Sequence, residues 1–124
     1  MSWINPLSNR NKGVLTEDIA KSYLINQGLV FIDKNVHCRQ GEIDLVMQDE
    51  TTYVFIEVKY RKSNRFGGAI AAITHSKQQK IKHCVSFFLN KKNLNEYNTP
   101  CRFDVITLEG DISQPEINWL KNAF

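Results

Sequence analysis

Three carboxylates and a lysine stand where a strand should bury apolar surface: Glu42, Asp44, Glu57 and Lys59, within GEIDLVMQDETTYVFIEVKYR, residues 41–61. A charge taken into a sheet is unfavourable unless it is paired or coordinates a metal. By strand alternation Glu42, Asp44 and Val46 share one face, with Ile43, Leu45 and Met47 on the other; Tyr53, Phe55, Glu57 and Lys59 share a face of the next strand. A hairpin closing symmetrically about Asp49-Glu50 pairs Asp44 with Phe55 and sets Glu57 diagonally beside Asp44, about 7–8 Å away between backbones. The same register places Glu42 opposite Glu57, a like-charge pair that a bound cation would relieve; a one-residue bulge would alter the pairing. Oxygen donors without soft ligands favour magnesium or manganese, which takes one or two carboxylates plus substrate phosphate. Lys59 then lies beside the metal, facing the substrate. With thirteen acids, about one acid-x-Lys triplet is expected by chance, so Glu57-Val58-Lys59 means little alone. The weight lies in the joint setting: an Asp in one apolar strand, a hairpin, then Glu-x-Lys in a second.

The elements that would position these groups follow from periodicity. VLTEDIAKSYLINQG carries Leu15, Ile19, Ala20, Tyr23 and Leu24 at helical spacing, with Gly28 as the stop. A strand is expected at 29–32, resuming through Val36, then a hairpin of strands 42–47 and 52–60 joined by Gln48-Asp49-Glu50-Thr51. SNRFGG reads as a loop. A second helix over 74–92 has Ile81, Cys84, Val85, Phe88 and Leu89 as its apolar stripe, and a strand over 102–108 follows. The tail docks through Trp119 and Leu120, on its own core or on a partner. A right-handed crossover from Lys59 through this helix makes its two strands parallel. The fold class is therefore α/β, a central mixed sheet flanked by helices.

A length of 124 residues allows one core. The expected division is a flexible segment over 1–12, a domain over 13–108 and a C-terminal extension over 109–124. The net charge of +3 is compatible with a polynucleotide partner without requiring one. Three cysteines without C-x-x-C spacing argue against a disulfide framework and for reduced, structural thiols. His37-Cys38 and His83-Cys84 do not make a zinc site, because strand neighbours point to opposite faces. The start lacks an apolar signal core and no run is long enough to span a membrane, so the expectation is a cytoplasmic protein with no membrane partner.

Asp44 with Glu57-Val58-Lys59 resembles the PD-(D/E)xK nuclease signature. GEIDLV…VFIEVKYR, with GVLTEDIA upstream and CRFDV downstream, is similar to the YraN family of small bacterial proteins, related to archaeal Holliday-junction resolvases. The likeness runs over about residues 13–108. It implies a restriction-endonuclease-like core in which Asp44 and Glu57 hold the metal, Glu17 completes the site from the first helix, and Lys59 is catalytic. Ile43 replaces the proline of the signature, and Val36 and His37 replace an aromatic residue and an arginine usual in the family.

The resulting expectation is a Mg2+- or Mn2+-dependent endonuclease acting on nucleic acid, DNA in the first instance, branched in structure if the resolvase likeness extends that far. The alternatives are a nucleic-acid-binding protein without turnover and a protein-interaction scaffold. Glu17 has a second reading as a first-turn acid favoured by the helix dipole. Arg61, Lys62 and Arg65 beside the Gly-Gly loop, and Lys77 and Gln78 at the start of the second helix, either grip phosphates or are simply solvated. Arg102 and Asp104 read as a structural pair. Symmetric cleavage of a four-way junction would call for a twofold homodimer, with Trp3, Trp119 and Phe124 as candidate contacts.

Overall fold

The computed structural model describes residues 9–62 and 73–124, and for residues 9–12 the backbone alone. The elements run α1 (Asn9–Asn26), β1 (Val30–Cys38), β2 (Gly41–Asp49), β3 (Thr52–Arg61), α2 (His75–Lys91), β4 (Cys101–Glu109) and β5 (Glu116–Leu120). They form one five-stranded sheet in the order β1-β2-β3-β4-β5. Only β3 and β4 are parallel, the pair joined through α2, and the other three pairings are antiparallel. The expected mixed α/β sheet with helices against it is thus the observed one. Arg65 and Trp3 lie outside the described residues.

Each helix covers one face. Ala20 and Leu24 of α1 pack with Leu45, Met47, Val54, Ile56, Ile106 and Leu108, while Ile81, Cys84, Phe88 and Leu89 of α2 pack with Ile43, Val46, Phe55, Phe103 and Val105. Full burial of each such aliphatic or aromatic side chain contributes about 1.5–3 kcal/mol. Leu15, expected in the α1 stripe, is 38% exposed; Thr16 takes the inward position instead and donates to the Gly13 carbonyl at 3.0 Å. Gly28 closes α1 at φ 101°, a left-handed conformation that glycine reaches without steric cost. At α2 the Thr74 hydroxyl accepts from the Lys77 N–H at 3.1 Å, an N-cap just outside the first turn.

Two expectations about the hairpin are corrected. It closes through Glu50-Thr51, Asp49 pairing with Thr52, so Phe55 faces Val46 rather than Asp44. Glu50, at φ 55°, takes the left-handed turn position and moves the hairpin centre along by one residue. The pairing ends at Leu45 with Ile56, so Glu42 does not face Glu57. The simple alternation of β2 also fails: Ile43 packs with Val46 on the α2 side, whereas Leu45 and Met47 pack on the α1 side. The slip falls at Asp44, and on β1 the facing position is held by Asn35 at φ 49°, outside strand geometry.

The cysteine expectation is corrected as well. Cys38 of β1 and Cys84 of α2 are joined as a disulfide, with Cα atoms 5.4 Å apart, and Cys101 is free and exposed. A separation of 46 residues and the absence of a short spacing motif hid this pair from the sequence.

The tail docks on its own core. β5 pairs with β4, and Asp104, fully buried, accepts from Trp119 Nε1 at 2.8 Å, from the Asn122 N–H at 3.0 Å and from Arg102 Nε at 3.2 Å. Arg102 Nη1 also donates to Asp49 at 3.0 Å, tying the hairpin end to the same cluster. The anticipated Arg102–Asp104 pair is therefore present and is structural.

Candidate metal centre

The site is built where β2 and β3 part. Beyond Leu45 and Ile56 the ladder has no further partner, and the Val58 N–H is left without a strand carbonyl. Asp44 Oδ2 accepts from it at 2.8 Å, a side chain standing in for the missing strand. The bond holds the carboxylate at the fork, next to the first turns of α1.

From α1, Glu17 leans toward the sheet beside the buried Thr16–Ala20 row; from β2, Glu42 enters two residues before Asp44. Carboxylate oxygens of Glu17, Glu42 and Asp44 all lie within 4.8 Å of one another. Burial pushes the Asp44 carboxyl up to about 7, helped by repulsion from Glu17, Glu57 and Glu42, and the Val58 bond only partly offsets this. Burial raises Glu17 as well, with Glu42 adding to the shift and a hydrogen bond from Asn35 opposing it. Oxygen donors held this close with unrelieved repulsion can bind a hard divalent cation.

Glu57 is near enough to act on Asp44 electrostatically but does not belong to that three-carboxylate set. It lies on the α2 side of β3, where one oxygen forms an ion pair with Lys77 and the other, Oε2, is buried without a partner among the described residues. Lys59 is half-buried, and its pKa falls because burial, with Lys77 and Arg61, outweighs the pull of Glu57. Opposite Lys59 in the parallel register, Thr107 carries a buried hydroxyl that also lacks a partner among the described residues.

Of the other residues singled out, Arg61 and Lys62 are exposed at the end of β3, and Arg61 Nη1 donates to the Tyr60 carbonyl at 3.0 Å. Gln78 Nε2 reaches the Ile73 carbonyl at 3.4 Å, before the helix start. Lys77 lines a cleft of about 270 Å3 together with Gln40, Gly41, Glu42, Thr74 and Lys80, which links the acids to the first turn of α2. A larger cavity of about 420 Å3, bounded by Phe55, Ile81, Phe103 and Phe124, is mostly apolar and lies away from the carboxylates, so its size does not make it the site.

Glu42 is the member sequence reasoning passed over. It was placed opposite Glu57 as a repulsive pair, whereas the shifted hairpin and the slip at Asp44 bring it to Asp44 and Glu17 instead. Its i, i+2 spacing from Asp44 was the available signal.

Residues 16–108 match the model of an uncharacterised protein family, UPF0102. A UPF0102 protein of Colwellia psychrerythraea is 62% identical over the full length of both chains. UPF0102 proteins of Yersinia enterocolitica and Shewanella frigidimarina are 44% and 46% identical, covering 95% and 92% of this chain and 97% and 99% of their own.

Proposed function

The chain belongs to the uncharacterised protein family UPF0102, the YraN family, and from that premise we propose that it is a metal-dependent phosphodiesterase acting on nucleic acid. The observation that carries this reading is the convergence of Glu17, Glu42 and Asp44 within 4.8 Å, beside a strand bearing Glu57-x-Lys59. The residues fit a hard cation: every donor is a carboxylate oxygen, and the raised Asp44 pKa reflects burial and, after it, carboxylate repulsion, both of which a cation would offset. The likeness to PD-(D/E)xK nucleases supports the same reading, with magnesium or manganese as the ion and DNA as the first substrate to test.

Glu17, Glu42 and Asp44 would hold the ion, with Glu57 adjoining. A divalent cation, when bound, supplies charge to a phosphate oxygen and lowers the pKa of water. Asp44 must lose its proton first, which the pH of the medium controls. Lys59, its ammonium held close to Glu57 and Lys77, orients the attacking water and stabilises charge developing on the phosphate. Lys77 and Lys80, at the cleft beside Glu42, bind flanking phosphates.

A second reading has one observation in its favour. Lys77 occupies the Glu57 carboxylate that the nuclease signature assigns to metal, which suits a protein that binds nucleic acid without cutting it. Incubation with branched and linear DNA, with Mn2+, Mg2+ or chelator, separates the two. Metal-dependent cleavage abolished by Asp44→Asn and Glu17→Gln is expected. Binding without cleavage favours the second reading, and cleavage that survives both substitutions comes from a contaminant.

A further inference from the structure

A second feature lies beside β1, on the strand that carries His37 next to Glu42. Between β1 and the last turns of α2 runs a groove of about 380 Å3, whose walls carry Lys34, Asn35 and His37 from the strand and Phe87, Lys91 and Lys92 from the helix. Its charge is predominantly positive. The one acid in it, Asp33, turns its Oδ1 onto the Lys34 N–H at 2.8 Å.

The groove is joined to the acidic centre through His37, whose Nδ1 lies 3.5 Å from Glu42 Oε2. Whatever lies along His37 therefore arrives at one of the three carboxylates.

Phe87 is the informative residue. Its neighbours Phe88 and Leu89 are buried in the core, whereas Phe87 is 44% exposed, with Lys91 Nζ 5.4 Å from its ring centroid. An exposed aromatic ring with the Lys91 ammonium over one face and the Lys92 ammonium at the neighbouring Phe88 suits a ligand that is flat and aromatic in one part and anionic in another. Nucleotides have both parts, and an aromatic platform beside a cationic track is how unpaired strands are held. A base inside a duplex is stacked on both faces and cannot reach such a ring unless it is extruded.

We propose that this groove binds an unpaired strand of nucleic acid, a base stacking on Phe87 while Lys91 and Lys92 hold its phosphates, and that the strand leads to the carboxylate centre. The substrate class is then nucleic acid with a single-stranded segment next to the point of cleavage. That last step rests on the phosphodiesterase reading; the strand-binding step does not.

The test measures binding in chelator, where no cleavage intervenes, by fluorescence anisotropy of a labelled single-stranded oligonucleotide and a blunt duplex of the same sequence. Phe87→Ala should weaken single-strand binding roughly tenfold and duplex binding less than twofold, while Phe87→Trp keeps wild-type affinity. Lys91→Gln with Lys92→Gln should lower the slope of log affinity against log salt by about 1.4 on the single strand. Unchanged single-strand binding by Phe87→Ala overturns the proposal, as do an equal loss on both ligands and an absence of single-strand binding by the wild type. Binding that depends on Phe87, without metal-dependent cleavage of any DNA, leaves the groove standing and removes the phosphodiesterase reading. Cleavage alongside Phe87-independent binding does the reverse.

Discussion

Asp44→Asn separates electrostatic cost from structural support at the fork. The amide oxygen of asparagine can still accept from the Val58 N–H, so the strand-end bond survives while the charge does not. Burial and three neighbouring carboxylates move the Asp44 carboxyl from 3.8 to about 7. At about 1.4 kcal/mol per factor of ten, keeping it ionised in the folded protein costs about 4 kcal/mol, or about 2 once solvent screening is allowed for. The sign follows from proton binding: folding raises this pKa, so the folded chain holds more protons, and stability is lost as pH rises from about 4 through about 7. Asp44→Asn removes that loss. In urea titrations with chelator, the variant should be more stable than wild type by about 2 kcal/mol at pH 8, and by about half as much at pH 5.5. A variant no more stable at pH 8, or a difference that ignores pH, would show that Asp44 is not held in unfavourable charge and would refute the reasoning. Added Mn2+ should reverse the order, stabilising wild type but not the variant.

Calorimetric titration of Mn2+ should show affinity rising with pH up to about 7 and levelling beyond it, because one proton leaves Asp44 on binding. Asp104→Ala strips the half-buried Arg102 of one of its two acids and frees Trp119 and Asn122, and denaturant unfolding should register a loss of about 3 kcal/mol. Alkylation of the unfolded, unreduced chain should modify Cys101 alone, as read by mass spectrometry. Cys38→Ser with Cys84→Ala should cost about 4 kcal/mol in the same unfolding assay, as expected for a loop of that length.

The architecture was legible because its determinants are local. The Ala20-Leu24 and Ile81-Cys84-Phe88 rows have helical spacing, the two hairpin strands are unbroken apolar runs, and the crossover length demands a parallel pair. β5 was harder: EINWL is short, and its pairing depends on Asp104, a residue twelve positions upstream whose partners only the folded chain assembles. At the site, Asp44 stood out as an acid in an apolar strand, Glu17 was pointed to by the family resemblance, and both belong to the carboxylate cluster. The role of Glu42 was missed because a strand was treated as strictly alternating, whereas Glu50 shifts the turn and Asp44 breaks the period. Lys59 shows a further limit, since burial and a lysine on a distant helix outweigh its nearest acid in sequence. Such balances depend on what packs nearby and have no signature along the chain.

The bond between Asp44 and the Val58 amide ties the placement of the acidic cluster to an unfinished seam in the sheet. Zipping that seam by one more rung would let a main-chain oxygen claim the amide and turn the aspartate loose. A more regular scaffold would then hold a blunter tool, and stabilising substitutions selected around residues 43–45 and 56–58 should tend to erode whatever the cluster does.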